Sequence, residues 1–510
     1  MTAGRFKRRA PVVVAVTLAT LAGCSIGPRY HAPGAPPVRR YTRRPPPGAT
    51  RPVKGQAGGV QRFQYGASPQ VRWWTAFRSL ALDGLINAAL RHNPTLAAER
   101  ARLLEARAAV LADEGIFYPQ INANLGAARQ KSGFSSSGAP HIYSLYTGGL
   151  SVSYYPDIFG ANRLVYNSAE AQARYQRDQL LAAQLALVGN VATTAVEVAS
   201  ERAQIQATRH IIQSETRLLA LTRMQYRAGA VTYLSVVNQK SQLATSRASL
   251  PVLKQQLAVS RYTLATLIGE FPAQWRPRDL RLSHMHLPRH LPVSLPSMLV
   301  RQRPDIRAAS EQLRYANAEI GIADAQFYPT VQLTASLGQQ SLTPAAFFES
   351  ASNAWSLAGH LLAPLFHGGT LRAQRREALE LYAATLATYK TTVLGAFRQV
   401  AGTLRALEHD AETLRDERTA YESAREALHL ARASYRAGAI DSLSLLTTEA
   451  LYSRARIAYV RAEADRYLDT IALYTAIGGG QLPPPRRSLL GPPAARAPAA
   501  RAATSSRKAP

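Results

Sequence analysis

One side chain in this sequence combines a reactive group with a setting that would use it. Cys24 is the single cysteine among 510 residues, so it has no disulfide partner within the chain. It directly follows Leu21-Ala22-Gly23, at the end of an apolar run that starts at Pro11. Basic residues between Arg5 and Arg9 precede that run, and this order is typical of a secretory signal. Cleavage before Cys24 would leave a free thiol on the new N-terminal residue.

The order Leu-Ala-Gly-Cys resembles a bacterial lipobox, the motif in which such a thiol is lipidated. The resemblance predicts that residues 1–23 are a lipoprotein signal peptide and that a lipid on Cys24 tethers the mature chain to a membrane. Ser25, rather than an aspartate, follows Cys24, which by the same resemblance favours sorting to the outer membrane. The alternative is an ordinary secretory signal with an incidental cysteine.

No other group of residues predicts catalysis. The sequence has no glycine-rich phosphate loop, no HExxH motif and no GxSxG motif. His284, His286 and His290 share a short segment that could hold a metal ion, but we interpret it as an exposed basic linker. We interpret Trp73-Trp74 as a packing anchor. We therefore expect no enzyme, and no cofactor other than the covalent lipid at Cys24.

The basic charge lies largely at the ends of the chain. The formal net charge is +29, yet 18 of the 61 basic residues fall in residues 5–9, 25–62 and 481–510, which hold no acidic residue. The last two of these segments are rich in Pro, Ala and Gly, a composition that does not bury enough apolar surface to order itself. On a membrane-tethered chain, basic flexible ends favour contact with anionic lipid or cell-wall polymers over nucleic acid.

The chain contains the same unit twice. Phe117-Tyr118-Pro119 recurs as Phe327-Tyr328-Pro329, and the pentapeptide from Tyr226 to Ala230 recurs as Tyr435 to Ala439. These matches lie about 210 residues apart and run in register, which indicates duplication of one structural unit. The predicted organisation is a signal peptide, a lipidated extended segment, a first repeat, a linker, a second repeat and a disordered basic tail, at residues 1–23, 24–75, 76–270, 271–295, 296–480 and 481–510.

Each repeat is predicted to place a helical segment before a pair of strands. The helical segments are residues 80–116 and 296–326, and the alternation from Val331 to Leu337 is typical of a transmembrane β-strand. Serine- and glycine-rich turns are expected at Ser132–Ala139 and Gln339–Ala345. Four strands per chain do not enclose a barrel, since about eight is the usual minimum, so copies of the chain must join. The alternative is a soluble four-stranded sheet.

Long helices follow each strand pair. A helix from Asn162 to Arg227 would be ~100 Å long at 1.5 Å per residue. In the second repeat, apolar residues from Val393 to Leu414 advance by steps of four and three, which indicates supercoiling against neighbours. Pro251 interrupts the returning helix of the first hairpin. No apolar stretch after the signal reaches the ~18 residues of a spanning helix, so the helices are either a solvated stalk or the wall of a tube.

The chain resembles the TolC-like outer-membrane factors, and most of all their lipoprotein branch, the NodT and OprM type that serves resistance-nodulation-division (RND) efflux pumps. The motifs carrying the resemblance are Cys24 to Pro28 with Tyr30 and Pro33, Leu295 to Arg307, Pro364-Leu365-Phe366 with Gly368-Gly369, and the two Tyr-Arg-Ala-Gly-Ala segments. The resemblance implies a mixed fold of α-helices and transmembrane β-barrel. It also implies a homotrimer that closes a twelve-stranded barrel continued by a twelve-helix periplasmic tunnel.

The two Tyr-Arg-Ala-Gly-Ala segments fall where each long hairpin should reverse. Glycine supplies the positive φ that ends a helix, and an arginine in the last turn suits the helix dipole. In the family these tips also dock a periplasmic membrane-fusion adaptor. The resemblance carries this role to six residues: Arg227, Gly229, Ala230, Arg436, Gly438 and Ala439.

The family's tunnel narrows near the second tip, often at acidic rings. The matching positions here are Ser444 and Thr447, which are uncharged, and Asn238 stands opposite in the first repeat. Tyr435 matches a family gate-tether tyrosine. Asp441 and Glu449 are nearby acids that could compensate, but a neutral polar gate is the expectation.

The predicted function is a passive exit duct for small molecules in the outer membrane. Its partners would be a periplasmic adaptor, an inner-membrane RND-type transporter and outer-membrane lipid. One alternative within the same fold is the duct of a type I protein secretion system. Another is a coiled-coil tether between membrane and cell wall.

Overall fold

The computed structural model describes residues 26–34, 36–44, 47–132, 141–276 and 280–480. Cys24 and the predicted signal peptide lie outside the described residues. So do the predicted basic tail and almost all of the predicted turn Ser132–Ala139.

The duplicated unit appears as a repeated order of elements. A short strand, β1 (Arg62–Tyr65), precedes the first repeat, and β4 (His290–Val293) lies between the repeats. The first repeat comprises α1 (Leu80–His92), α2 (Pro94–Glu114), β2 (Gln120–Ser132), β3 (His141–Tyr154), α3 (Ala161–Arg227) and α4 (Tyr233–Leu267). The second comprises α5 (Pro296–Gln302), α6 (Pro304–Ala325), β5 (Thr330–Ser341), β6 (Asn353–Leu362), α7 (Thr370–Arg436) and α8 (Ser442–Ala476).

The predicted helical segments 80–116 and 296–326 are wrong as single helices. Each is split before a proline, at Asn93-Pro94 and at Arg303-Pro304. A residue before proline is disfavoured in the α conformation, and both Asn93 (ψ 123°) and Arg303 (ψ 124°) are extended. The proline then starts the next helix, where its missing N–H costs nothing.

At both breaks, a side chain forms a hydrogen bond to the end of the last helix of the same repeat. Asn93 Nδ2 donates to Leu267 O at 2.9 Å, and Arg303 Nη1 donates to Ala476 O at 2.8 Å. Leu267 and Ala476 are equivalent positions, 209 residues apart, at the ends of α4 and α8. Two different side chains therefore satisfy the same orphan carbonyl of a helix end.

The four main strands form one antiparallel sheet in the order β2-β3-β5-β6. Directly opposed residues share a face, and the register sets apolar rows on one face: Ile121, Val152, Ala335 and Leu357, then Ala123, Leu150, Leu337 and Trp355. The intervening row on the other face is Asn122, Ser151, Ser336 and Ser356. The predicted alternation is confirmed in these rows, and it ends near Gln339 and Asn353, which lie on the same face as the apolar rows.

The predicted turn at Gln339–Ala345 begins three residues too early. β5 continues through Ser341, and Gln339 pairs with Asn353 at the start of β6, where the two side chains are joined by a 2.8 Å hydrogen bond. Cross-strand pairing therefore overrides the turn propensity of the serine- and glycine-rich sequence.

The long helices lie side by side. α3 and α7 each contain 67 residues, about 100 Å of helix. α3 packs against α2 and α6 near the sheet and against α4 and α8 farther away, while α7 packs against α6 and α8. Four helices are therefore present at each level, in the order α2-α3-α6-α7 and then α4-α3-α8-α7. α4 and α7 form the two edges of the far half.

The predicted heptad seam of α7 faces the interior. Val393, Val400, Leu404 and Leu414 are buried, and Phe397 is half-buried against Tyr41. α3 also contains an 18-residue window long and apolar enough to span a membrane, which corrects the expectation that no such stretch follows the signal. More than half of that window is buried within the chain, so it serves the protein core.

The N-terminal segment and the linker join around the middle of the helices. β1 pairs with β4 in parallel, two short strands that the sequence did not predict. Trp73 stacks on Tyr474 with ring centroids 5.0 Å apart, and Trp74 Nε1 donates to Asp83 at 2.9 Å. The packing role of the tryptophan pair is confirmed. We call residues 26–65 the strap and residues 280–293 the belt.

The linker histidines are exposed, and none of the described residues form a group of three or more metal-ligating side chains. Pro251 does not break α4, which is continuous from Tyr233 to Leu267. The prediction that it interrupts the helix is wrong, because the flanking turns are held by packing against α3.

Candidate functional site

Both hairpin tips end in the same hydrogen-bonded cap. Gly229 (φ 71°) and Gly438 (φ 73°) adopt the left-handed conformation. In the first tip, Ala230 N donates to Gln225 O at 2.8 Å and Gly229 N donates to Tyr226 O at 3.0 Å. Ala439 and Gly438 make the equivalent bonds in the second tip. This is the Schellman motif, and it explains why the Tyr-Arg-Ala-Gly-Ala sequence occurs twice.

The six predicted docking residues project from the ends of the molecule. Arg227 and Arg436 are the last residues of α3 and α7, and all six residues are exposed. Beyond Gly229 and Gly438 there is open space, since an added Cβ would meet no atom within 4 Å. The structure therefore brings the predicted residues together as two adjacent, exposed knobs.

Two hydrogen bonds join the tips to each other. Tyr435 is buried, and its hydroxyl donates to Gln225 Oε1 at 2.6 Å. Ser442 Oγ donates to Ser235 Oγ at 2.8 Å. Tyr435 thus joins the second hairpin to the first hairpin of the same chain.

The other predicted gate residues lie on the first turns of α8. Asp441 caps this helix by accepting from Ser444 N at 2.9 Å, and hydrogen bonds from Ser444 hold the pKa of its carboxyl below the usual range. Thr447 Oγ1 donates to Leu443 O at 2.9 Å. Asp441, Ser444 and Thr447 are all exposed. The local surface is neutral apart from one capping carboxylate.

Glu449 does not supply an acid to this surface. It is 2% exposed and pairs with Arg432 at 3.0 Å. Burial raises the pKa of its carboxyl, and the Arg432 charge opposes that rise. Glu449 therefore forms an ion pair between α7 and α8 within the chain.

A second buried acid, Glu215, was not predicted. It is 1% exposed, and its Oε1 accepts from Gln242 at 3.1 Å and from Ser246 at 2.9 Å, while Oε2 is buried without a partner. Burial raises the pKa of Glu215, and the charge of Glu449 raises it further. The sequence did carry a signal for this residue. Glu215 lies four residues after Ile211 and four residues before Leu219, and the equivalent residue of the second repeat is Ala424.

The strap begins at the foot of the sheet. Ile26 N donates to Phe159 O at 3.3 Å, between the end of β3 and the start of α3. Asn317 Nδ2 donates to Pro28 O at 2.8 Å. Gly27 (φ 99°) lies so close to Gly321 that a Cβ would be 2.6 Å from its Cα, so only glycine fits there.

The two faces of the sheet and the exposed hairpin tips indicate what kind of protein this is. A sheet with one apolar and one small-polar face suits a membrane barrel wall, and the long hairpins extend far from it and end in exposed tips. This combination is that of an outer-membrane channel with a helical extension.

The comparisons identify the family. Residues 85–270 and 295–479 each match the family model described as outer membrane efflux protein, one match for each repeat. The chain belongs to the outer membrane efflux protein family.

The matches to individual relatives extend over most of the chain. The chain is 32% identical over 421 residues to the pyoverdine export outer membrane protein OpmQ of Pseudomonas aeruginosa, which covers 81% of this chain and 88% of that protein. It is 29% identical to the solvent efflux pump outer membrane protein SrpC of Pseudomonas putida, covering 91% and 97%. The solved outer-membrane channel OprN matches with a TM-score of 0.80 at 27% identity, over 90% of this chain and all of that one.

These findings confirm the predicted fold class, the outer-membrane location and the role as an outer-membrane efflux channel. The long helices are therefore the wall of a channel, and not a solvated stalk or a coiled-coil tether.

Proposed function

We propose that three copies of the chain close head-to-tail into one duct. The observation that carries this is that the sheet and the helical wall both end in edges without partners. β2 and β6 are the edges of the sheet, and α4 and α7 are the edges of the far helices. An open sheet edge is not tolerated in lipid, so β6 of one copy pairs with β2 of the next.

The outer faces of the edge helices support this closure. Besides the residues that each edge helix buries within the chain, it carries an outward row of residues spaced by three and four. All residues of these outward rows are exposed in the single chain. Such spacing is typical of a coiled-coil seam. The rows are Thr245, Ala248, Val252, Gln255, Val259 and Tyr262 on α4, and Thr413, Asp416, Ala420, Ser423, Ala427 and Leu430 on α7.

The number of copies follows from the size of the lumen. Two copies would supply eight strands, a barrel whose interior is filled by side chains. Three copies supply twelve strands and, at every level, twelve helices. The equal numbers let one tube continue into the other.

We propose that the duct is passive and receives small molecules from an inner-membrane RND-type transporter through a periplasmic adaptor. The adaptor docks on Arg227, Gly229, Ala230, Arg436, Gly438 and Ala439. Tyr435, Asp441, Ser444 and Thr447 line or hold the narrow end, which is neutral and polar. The relatives named for pyoverdine export and solvent efflux support small molecules over proteins as cargo.

The function is tested by accumulation of a fluorescent efflux dye in cells that lack the gene. We expect accumulation to rise and to fall again when the wild-type gene is restored. Gly438→Trp should fail to restore efflux, because it places bulk on the docking knob. Gly438→Ala is the matched control, since it carries the same backbone strain without the bulk and should restore most of the efflux.

Unchanged accumulation in the deletion strain would contradict the small-molecule duct. Exported proteins missing from the medium of the same strain would instead support the secretion alternative. Equal failure of Gly438→Ala and Gly438→Trp would show that strain, not docking, explains the loss.

We also propose that Cys24 carries the lipid anchor. Cys24 is two residues before Ile26 in the sequence, and Ile26 N donates to Phe159 O at the foot of the sheet. An acyl chain there would enter the bilayer beside the barrel. The test is incorporation of a labelled palmitate analogue, expected in the wild type and absent in Cys24→Ala; label in both would refute the assignment.

A further inference from the structure

A row of basic residues follows one flank of α4. Four bases recur every seven residues, and α4 contains no other charged residue. Seven residues make about two turns, so the four side chains lie on one side of the helix. They are Lys240, Arg247, Lys254 and Arg261. We call this set the basic row.

Among the described residues, Glu201 on α3 lies near one end of the basic row, where it interacts with Arg261 and accepts a hydrogen bond from Ser260. Among the described residues, no carboxylate forms an ion pair with Lys240, Arg247 or Lys254. Arg261 Nε is buried without a hydrogen-bond partner. Burial lowers the pKa of Arg261, and the charge of the neighbouring Arg202 lowers it further. The row is therefore a surface that an acidic partner would stabilise.

α7, the opposite edge of the wall, carries acids on its corresponding flank. Glu408 pairs with Arg405 at 2.7 Å and Glu422 pairs with Arg418 at 2.8 Å, both within the helix. Exposed pairs of this kind contribute only a few tenths of a kcal/mol, so they leave the acids available. The acids on this flank are Glu408, Glu412, Glu422 and Glu426. We call this set the acidic row.

Both rows face the same side of the wall. Lys254 and Arg261 line a cleft of about 970 Å³ together with Arg281, Leu282 and Ser283 of the belt. On α7, Arg405 and Arg418, the partners of Glu408 and Glu422, donate to carbonyls of the strap at Arg44 and Lys54. Strap and belt are joined by the β1-β4 pairing, so they mark one common side.

The two rows also match in height. The two tips lie at one level, because Tyr435 bonds to Gln225 and Ser442 bonds to Ser235. The bases lie 11, 18, 25 and 32 residues beyond Gly229, and the acids lie 12, 16, 26 and 30 residues before Gly438. Matched members differ by at most two residues, about 3 Å along a helix axis.

We propose that the basic row of one copy pairs with the acidic row of the next copy across each seam of the ring. The pairs are Lys240 with Glu426, Arg247 with Glu422, Lys254 with Glu412, and Arg261 with Glu408. This interface rests on the head-to-tail ring proposed above. It adds charge pairing that fixes the axial register of the helices, because complementary charges favour one alignment of the two helices over the others.

The test uses an interchain disulfide as a reporter of the seam. Ala248→Cys and Ala420→Cys lie 19 and 18 residues from their tip glycines, on the outward rows of α4 and α7. In this background the basic row is reversed by Arg247→Glu with Lys254→Glu. The acidic row is reversed by Glu412→Arg with Glu422→Arg. A third variant combines the two reversals.

We expect either reversal to slow disulfide formation on the order of fivefold at low salt, since two exposed pairs per seam are replaced by like charges. The combined variant should recover to within about twofold of the reporter, which also shows that it folds. The matched control, Ser249→Glu with Gln256→Glu, introduces the same number of glutamates on the other flank of α4 and should change little. At 1 M salt, where the Debye length is ~3 Å, the differences should shrink.

The outcomes separate the two proposals. If the reporter alone forms no disulfide, the head-to-tail ring itself is wrong. If the reporter cross-links but the combined variant is no better than either reversal, the ring stands and the charge pairing is overturned. A loss on reversing α4 that is not rescued from α7 would assign the basic row to a different acidic partner and also overturn the proposal.

Discussion

At the scale of single residues, backbone geometry determines why glycine is needed at the two tips. In the helices next to the tips, the notable residues are buried carboxylates. Gly229 and Gly438 have open space where a side chain would be, so the requirement for glycine comes from their positive φ. A residue with a Cβ in that conformation costs about 1–2 kcal/mol. Glu215 and Glu449, by contrast, are held almost without solvent. Positions that look ordinary in sequence therefore dominate the electrostatics near the narrow end.

Glu215→Gln should raise the stability of the protein at pH 7.5. It should also reduce the gain in stability that the protein shows when the pH is lowered from 7.5 to 5.5. Burial raises the pKa of the Glu215 carboxyl above its usual 4.5, so in the window above 4.5 the folded chain binds more protons than the unfolded chain. The contribution of Glu215 to the stability of the wild type therefore increases as the pH falls through that window, and Glu215→Gln lacks this contribution. Gln keeps the acceptor oxygen used by Gln242 and Ser246 and removes the buried charge.

The measurement is the thermal unfolding midpoint of the solubilised protein at pH 7.5 and 5.5. The exposed Glu380→Gln is the control and should leave both midpoints nearly unchanged. A lower midpoint for Glu215→Gln than for the wild type at pH 7.5 would contradict the assignment.

At the scale of elements, periodicity predicted most of what the structure shows. Alternation together with the duplication predicted the four main strands, and steps of three and four predicted the buried seam of α7, because each pattern follows from one buried face. The breaks at Asn93 and Arg303 were missed as helix boundaries, although the following prolines were visible. The bonds of Tyr435 and Ser442 were not predictable, because Gln225 and Ser235 come from another element and the two repeats differ there.

The faces of the sheet are tested by neighbouring substitutions on β6. Leu357 lies in an apolar row and Ser356 lies in the small-polar row of the opposite face. Leu357→Arg should lower refolding into lipid vesicles, since a basic residue on the lipid face near the membrane centre costs about 2–4 kcal/mol. Ser356→Arg, one residue away, should refold nearly as the wild type because it faces water. Equal loss for both variants would refute the assignment of the faces.

At the scale of the whole molecule, one chain supplies only part of a closed wall, because its sheet and its helices both stop at open edges. The sequence predicted the need for copies, because four strands are too few to close. It did not predict which helices form the edges, since that depends on α3 lying between α4 and α8. The position of the strap and belt was likewise set by tertiary contacts such as the buried Arg466 Nη2, which donates to Gln61 Oε1 at 2.7 Å.

Electron cryomicroscopy of the full-length protein in detergent would show directly whether the chains form this ring. We predict a threefold assembly in which β6 of each copy pairs with β2 of the next and α7 lies beside α4 of the next, around one continuous lumen. A ring with another number of copies, or one in which α4 and α7 of neighbouring copies do not touch, would contradict the account.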